Sequence, residues 1–138
     1  MKSGVQTGAA FMEGRSYIIG RNGDIRIDDP AVSRGHAEIR FTEGNIYLRD
    51  LKSTNGTYLA GGKNAGRISE GFVSPHQRVM IGSHIYTIRN LLASVGVYAS
   101  YTRENGLRVK LTRPQKKFAA PQPLEKTPED RKTPDAVV

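Results

Sequence analysis

The chain has 138 residues, 37% hydrophobic and 25% charged, which suits one folded domain and excludes a disordered or fibrous chain. It has no cysteine, which removes disulfides, thiol catalysis and cysteine-ligated zinc, and its apolar stretches are too short to span a membrane. The formal net charge of +8 favours acidic partners, yet the 21 basic residues are scattered and form no stripe, so a solvated basic surface is the first reading.

The N-terminus lacks the apolar core of a signal segment, and a cytoplasmic protein is expected. A short strand is expected at Ala9-Ala10-Phe11-Met12. Tyr17-Ile18-Ile19 are apolar on consecutive positions, as in a strand buried on both faces, and Gly20 ends it. Ile25 and Ile27 alternate with Asp24, Arg26 and Asp28, which predicts a half-buried strand before a turn at Asp28-Asp29-Pro30. Ala37, Ile39 and Phe41 alternate with Glu38 and Arg40. Glu43-Gly44-Asn45 then turns the chain into a returning strand at 46–51, a hairpin.

Residues 52–56 form a polar loop that closes on Asn55-Gly56, after which Thr57-Tyr58-Leu59 resumes a strand. Glycine-rich 60–66 reads as a tight loop and 67–75 as irregular. Val79 and Ile81 lie on a strand that meets 85–88 across Gly82-Ser83-His84. No apolar set at three-four spacing outlasts one turn, so helix signals are nearly absent. Many short strands between glycine-containing turns predict an all-β sandwich or barrel. Beyond it, 95–102 and 107–112 form a further hairpin across Glu104-Asn105-Gly106. From Arg113 onward prolines are frequent and apolar residues few, so a disordered tail is expected. The expected division is thus a domain at 1–92, an additional β-hairpin at 93–112 packed on or following it, and a disordered proline-rich tail at 113–138.

Three runs placed where strands give way to loops carry the functional signal: Gly20-Arg21, Ser33-Arg34-Gly35-His36 and Ser53-Thr54-Asn55-Gly56-Thr57. Together they supply two guanidinium groups, several hydroxyls and a side-chain amide. That inventory suits a doubly charged phosphate with peptide backbone on either side of it.

These loops, with Val79-Met80-Ile81-Gly82 after them, resemble in order and spacing the forkhead-associated (FHA) domain family, over about residues 10–92. The resemblance implies a sandwich of two antiparallel sheets with about eleven strands, and binding of phosphothreonine in extended peptides without catalysis. Carried onto this chain, it makes Arg21 the direct phosphate contact, because a planar guanidinium matches two oxygens at once. Ser33 offers its hydroxyl and a backbone N–H expected to be free, and Arg34 a second cation at the rim. Thr54 stands where the family contacts the phosphate or the threonine, and Asn55 both donates to and accepts from peptide backbone. Gly20, His36 and Gly56 are expected to support the site structurally. No cofactor and no metal are implied.

Arg34 and Thr54 are equally well read as a surface arginine and a turn residue, and Asn55-Gly56 is a preferred turn pair in any protein. His36, His76 and His84 have no metal-ligand spacing, and no nucleophile elbow surrounds Ser33, so an enzyme is not expected. Two other readings stand beside the phosphopeptide one: a phospho-independent interaction module, and a basic nucleic-acid binder using Tyr98, Tyr101, Arg103, Arg108 and Lys110. Only 19 residues precede Gly20, so the family's first strand is expected to be short or missing, with the 95–112 hairpin covering the sheet edge instead. In the tail, Thr127 precedes a proline and Asp130 lies three residues after it, and the resemblance implies that many members prefer particular residues at that third position, acidic ones among them. The expected partners are accordingly a phosphothreonine protein or peptide, and the chain's own phosphorylated Thr127 read by another copy.

Overall fold

The computed structural model describes residues 9–61, 65–104, 106–112, 121 and 125–126. The expectation of a disordered tail lies outside these residues, apart from Pro121 and Glu125–Lys126. Two five-stranded sheets enclose one core. In the first, β1 (Ser16–Gly20), β2 (Ile25–Arg26), β3 (Ala37–Thr42), β4 (Asn45–Asp50) and β7 (Glu70–Val73) lie in the order β2-β1-β3-β4-β7. In the second, β5 (Thr57–Ala60), β6 (Gly66–Arg67), β8 (Arg78–Ile81), β9 (His84–Thr87) and β12 (Glu125–Lys126) lie in the order β12-β9-β8-β5-β6. The inward faces supply Ile19, Ile39, Phe41, Ile46 and Leu48 from one sheet and Val79, Ile81 and Tyr86 from the other, all buried. This is the β-sandwich expected from the alternation.

Local chemistry sets the register. Glu43 and Gly44 both have positive φ (55° and 70°), the type I′ geometry whose twist suits a two-residue hairpin. It pairs Thr42 with Asn45 and puts Ala37, Ile39 and Phe41 on the core side. The Glu13 carboxylate accepts from the Glu43 backbone N–H at 2.9 Å and so ties the N-terminal segment to this turn.

Several expectations are corrected. Ala10–Met12 is one 3-10 turn, not a strand; it buries Met12 completely under the core. The region expected to be irregular holds β6 and β7. Register with β4 places Tyr47 opposite Phe72, and the two rings meet edge to face at 4.9 Å. The sheets are not purely antiparallel, because β2 loops straight back beside β1 and pairs parallel to it. A helix is present, α1 (Ile88–Ala93), with the Thr87 hydroxyl accepting from Asn90 N–H at 3.1 Å as its N-cap. Six residues are too few for helical periodicity to register.

The hairpin of β10 (Val97–Thr102) and β11 (Gly106–Leu111) forms a two-stranded sheet of its own and pairs with neither sheet edge. The β9 edge is covered instead by β12, with Glu125 opposite Ile85 and Lys126 opposite His84. The hairpin contributes through its face: Val97, Ala99, Leu107 and Val109 are buried with Ile88, Leu91 and Leu92 of α1 in the common core. The expected boundary at 92/93 falls inside that helix. A chain ending at Leu92 should therefore lose at least about 3 kcal/mol of stability, given about 1.5–3 kcal/mol per fully buried aliphatic side chain. Urea denaturation beside the full chain checks this, and equal midpoints and slopes would contradict it. Among the described residues no helix is long and apolar enough to cross a membrane.

Candidate functional site

His36 stands at the centre of the three loops and is fully buried. It begins at the foot of β3, and its own backbone N–H donates to Ile19 C=O at 2.8 Å. Its ring reaches both other loop systems. Nδ1 accepts the Ser33 backbone N–H at 3.0 Å, and Nε2 lies 2.9 Å from the Gly56 carbonyl. An accepting Nδ1 fixes the tautomer, so Nε2 carries the proton and donates to Gly56. Ser33 N–H is thereby occupied, which corrects the expectation that it is free for a ligand; a ring acceptor three residues on captures it first.

Arg21 leaves β1 directly against the second loop. Its backbone N–H donates to Ser33 C=O and that of Asn22 to Arg34 C=O, both at 3.1 Å. Its side-chain Nε donates to Val32 C=O at 2.7 Å, which fixes the guanidinium and, among the described residues, leaves the two terminal nitrogens without a partner. This approach explains Gly20: a Cβ there would stand 2.1 Å from the Arg34 carbonyl oxygen, a backbone atom that cannot step aside.

The third loop is shaped by Asp50, a residue the sequence reading passed over. Its carboxylate accepts from Ser53 Oγ at 2.6 Å, Ser53 N–H at 3.0 Å and Thr57 Oγ1 at 2.8 Å. Ser53 Oγ in turn accepts from Gly56 N–H at 3.0 Å. Gly56 has φ +87°, which a side chain disfavours. The loop is then tied to its neighbour: Thr54 N–H donates to Ser33 Oγ at 3.1 Å, and Asn55 Nδ2 donates to Ala31 C=O at 2.8 Å.

Burial works to raise the pKa of Asp50. Hydrogen bonds from the Ser53 and Thr57 hydroxyls and the Ser53 N–H outweigh it and hold the carboxyl below its ordinary value. A depressed folded pKa contributes stability above the unfolded value of about 3.9, lost as pH falls through the folded one. Acid unfolding followed by circular dichroism should therefore set in below about pH 4, and Asp50→Asn should lower stability at pH 7 and flatten that acid slope.

The structure thus brings Arg21, Ser33, Thr54 and Asn55 to one end of the sandwich, with Arg34 exposed on the second loop. Among the described residues, what remains unused there is almost all donor: two guanidinium nitrogens of Arg21, the Ser33 and Thr54 hydroxyl hydrogens, Arg34 and one Asn55 N–H. Asp50 is satisfied within its own loop. Such a cluster suits an anion with several acceptor oxygens. Arg67 packs its guanidinium near Gly56. It lies outside the three motifs and reaches this end only because β6 pairs with β5, opposite Tyr58. Tyr98 and Tyr101 lie on the hairpin and are about half exposed, at 47% and 48%.

A sequence profile described as FHA domain matches residues 17–85. The oxoglutarate dehydrogenase inhibitor of Corynebacterium glutamicum is 42% identical over 62 residues, 43% of this chain and 43% of that protein. An ABC transporter ATP-binding/permease protein of Mycobacterium tuberculosis is 35% identical over 75 residues, 53% of this chain and 8% of that one. The chain therefore spans less than half the length of these curated relatives. Among solved structures, Mycobacterium tuberculosis EmbR in complex with a low-affinity phosphopeptide is 31% identical at TM-score 0.46, over 52% of this chain and 19% of that one. The matched stretch takes in every loop described above, from within β1 into β9, and amounts to half the chain: the protein belongs to the FHA domain family.

Proposed function

We propose that this domain binds phosphothreonine in extended peptides and carries out no chemistry of its own. The observation that carries the reading is the Arg21 side chain, held by its Nε on Val32 C=O with its terminal nitrogens unpartnered among the described residues, on a backbone that donates to Ser33 C=O. A phosphothreonine brings about −1.5 to −2 charges and three acceptor oxygens to such donors. Arg21 takes the phosphate with Ser33; Arg34 adds charge at the rim. Thr54 contacts the phosphate or the threonine, and Asn55, steadied on Ala31, spends its remaining amide groups on peptide backbone. Gly20, His36 and Gly56 hold the loops. The corynebacterial relatives are named as inhibitors, which agrees with a protein that regulates by contact. Selectivity for threonine over serine rests on one methyl, worth about 0.8 kcal/mol or roughly fourfold.

Titrating the isotope-labelled domain with a phosphothreonine peptide tests this. Amide resonances of Arg21, Ser33, Thr54 and Asn55 should move together, and the unmodified peptide should move none of them. Shifts confined to the 95–112 hairpin would contradict it.

Thr127 lies outside the described residues, but β12 runs antiparallel to β9 and ends with Lys126 opposite His84. The neighbouring Ser83 N–H donates to Asp29 at 2.9 Å, in the loop that leads to Ser33. β12 therefore stops at the end of the sandwich that carries the candidate loops. This supports the proposal that phosphorylated Thr127 is read by another copy of the domain. A phospho-Thr127 peptide should bind at least about tenfold tighter than its unmodified form, a difference of 1.4 kcal/mol. Equal binding would end the idea.

A further inference from the structure

The hairpin of β10 and β11 closes on the core with one face and turns the other to solvent. Alternation decides which residues go where. Val97, Ala99, Leu107 and Val109 are buried, so Tyr98, Ser100, Arg108 and Lys110 stand on the outer face. Register puts Tyr98 directly opposite Lys110 and Ser100 opposite Arg108. Tyr101 and Arg103, their neighbours in sequence, do not share this face. Tyr101 falls in the phase of the buried residues, opposite Leu107, and Arg103 lies in the turn after β10.

Between β10 and α1 lies a groove of about 300 Å³, lined by Arg89, Asn90, Ala93, Tyr98 and Ala99. Tyr98, about half exposed, therefore stands between two cations, Arg89 across the groove and Lys110 on the paired strand. No carboxylate lines the groove, and Arg89, Arg108 and Lys110 form no ion pair among the described residues. Residues 88–112 carry four basic side chains and one acidic one, Glu104, which sits in the hairpin turn.

An exposed ring between cations suits a ligand that repeats a flat π face and an anion along its length, which is the chemistry of single-stranded nucleic acid. An acidic peptide or an anionic lipid would use the cations and leave the ring without a stacking partner. Spacing agrees. Arg108 and Lys110 are two residues apart on one strand, about 6.8 Å, close to the step between successive phosphates of a stretched single strand. The surface is also remote from the phosphate loops. β9 begins after Ser83, whose N–H donates to Asp29, and ends at the Thr87 cap of α1, so α1 starts at the opposite end of that strand.

We propose that Tyr98, Arg89, Arg108 and Lys110 form a second binding site, for single-stranded nucleic acid, in which Tyr98 stacks on a base and the three cations take backbone phosphates. This site stands independently of the phosphothreonine reading.

The test titrates the full chain into a fluorescein-labelled oligothymidylate of about 12 nucleotides and follows anisotropy at several salt concentrations. Three neutralised phosphates give a slope of log K against log salt of about −2, or about a twentyfold loss of affinity between about 50 and 200 mM salt. Tyr98→Ala should weaken binding about fivefold or more at unchanged slope, and Tyr98→Phe should keep most of the affinity. Arg108→Gln with Lys110→Gln should bring the slope to about −0.7. Arg21→Ala, which removes a cation at the other end, should bind the oligonucleotide as the wild type does. Circular dichroism confirms that each variant is folded. Absence of binding to the wild type overturns the proposal. Equal weakening by Arg21→Ala and by Tyr98→Ala also overturns it, by assigning the binding to diffuse net charge. So does capture of phosphatidylserine vesicles or of polyglutamate without any response to the oligonucleotide, which would make this face a membrane or protein contact.

Discussion

Replacing Arg21 by alanine is expected to weaken a phosphothreonine peptide by about 2–5 kcal/mol, or about 30-fold to several thousand-fold, while the domain stays folded. The loss is large because a phosphate desolvated by the loops would be left without its bidentate cation. The structural cost is small by comparison. Arg21 is only partly buried, and one side-chain bond, Nε to Val32 C=O, disappears. A net loss of about 1–2 kcal/mol of stability is appropriate for such a bond. Calorimetric titration paired with urea denaturation separates the two quantities. A variant that unfolds as far as it loses binding would show Arg21 to be a structural residue instead.

His36→Ala should do the opposite, striking the fold first. It orphans the Ser33 N–H and the Gly56 C=O, each costing about 1–3 kcal/mol when left unsatisfied away from water, and leaves a void the size of an imidazole. A loss of about 3–5 kcal/mol is expected, a large share of the 5–15 kcal/mol that holds a typical domain together. The urea midpoint should fall with the slope unchanged. A change below about 1 kcal/mol would mean that the loops hold their shape without the histidine. Arg21 and His36 thus divide the site between contact and support.

The strands that carry the loops were legible because their burial alternates at a period of two: Ile39 and Phe41 inward against Arg40 outward, and Val79 and Ile81 likewise. The loops were legible because Gly20, His36 and Asn55-Gly56 each answer a specific geometric demand. Other features left no local trace. Phe72 is exposed, and β7 acquires its place only by pairing with β4, which no alternation within Glu70–Val73 announces. The occupation of Ser33 N–H depends on where the ring of His36 folds. Asp50 had a readable signal, an aspartate three residues before a serine in a turn, but it sits at the end of β4 and reads there as strand surface. Arg67 had none, since it reaches Gly56 through tertiary pairing alone.

The most direct measurement of the central claim is retention of a degenerate peptide library, offered in phosphothreonine, phosphoserine and unmodified forms, on immobilised wild-type domain beside Arg21→Ala. Strong enrichment of phosphothreonine peptides, weaker retention of phosphoserine ones, and loss of both on the variant is the predicted result. Equal retention of all three forms, unchanged in Arg21→Ala, would contradict phosphate recognition by these loops.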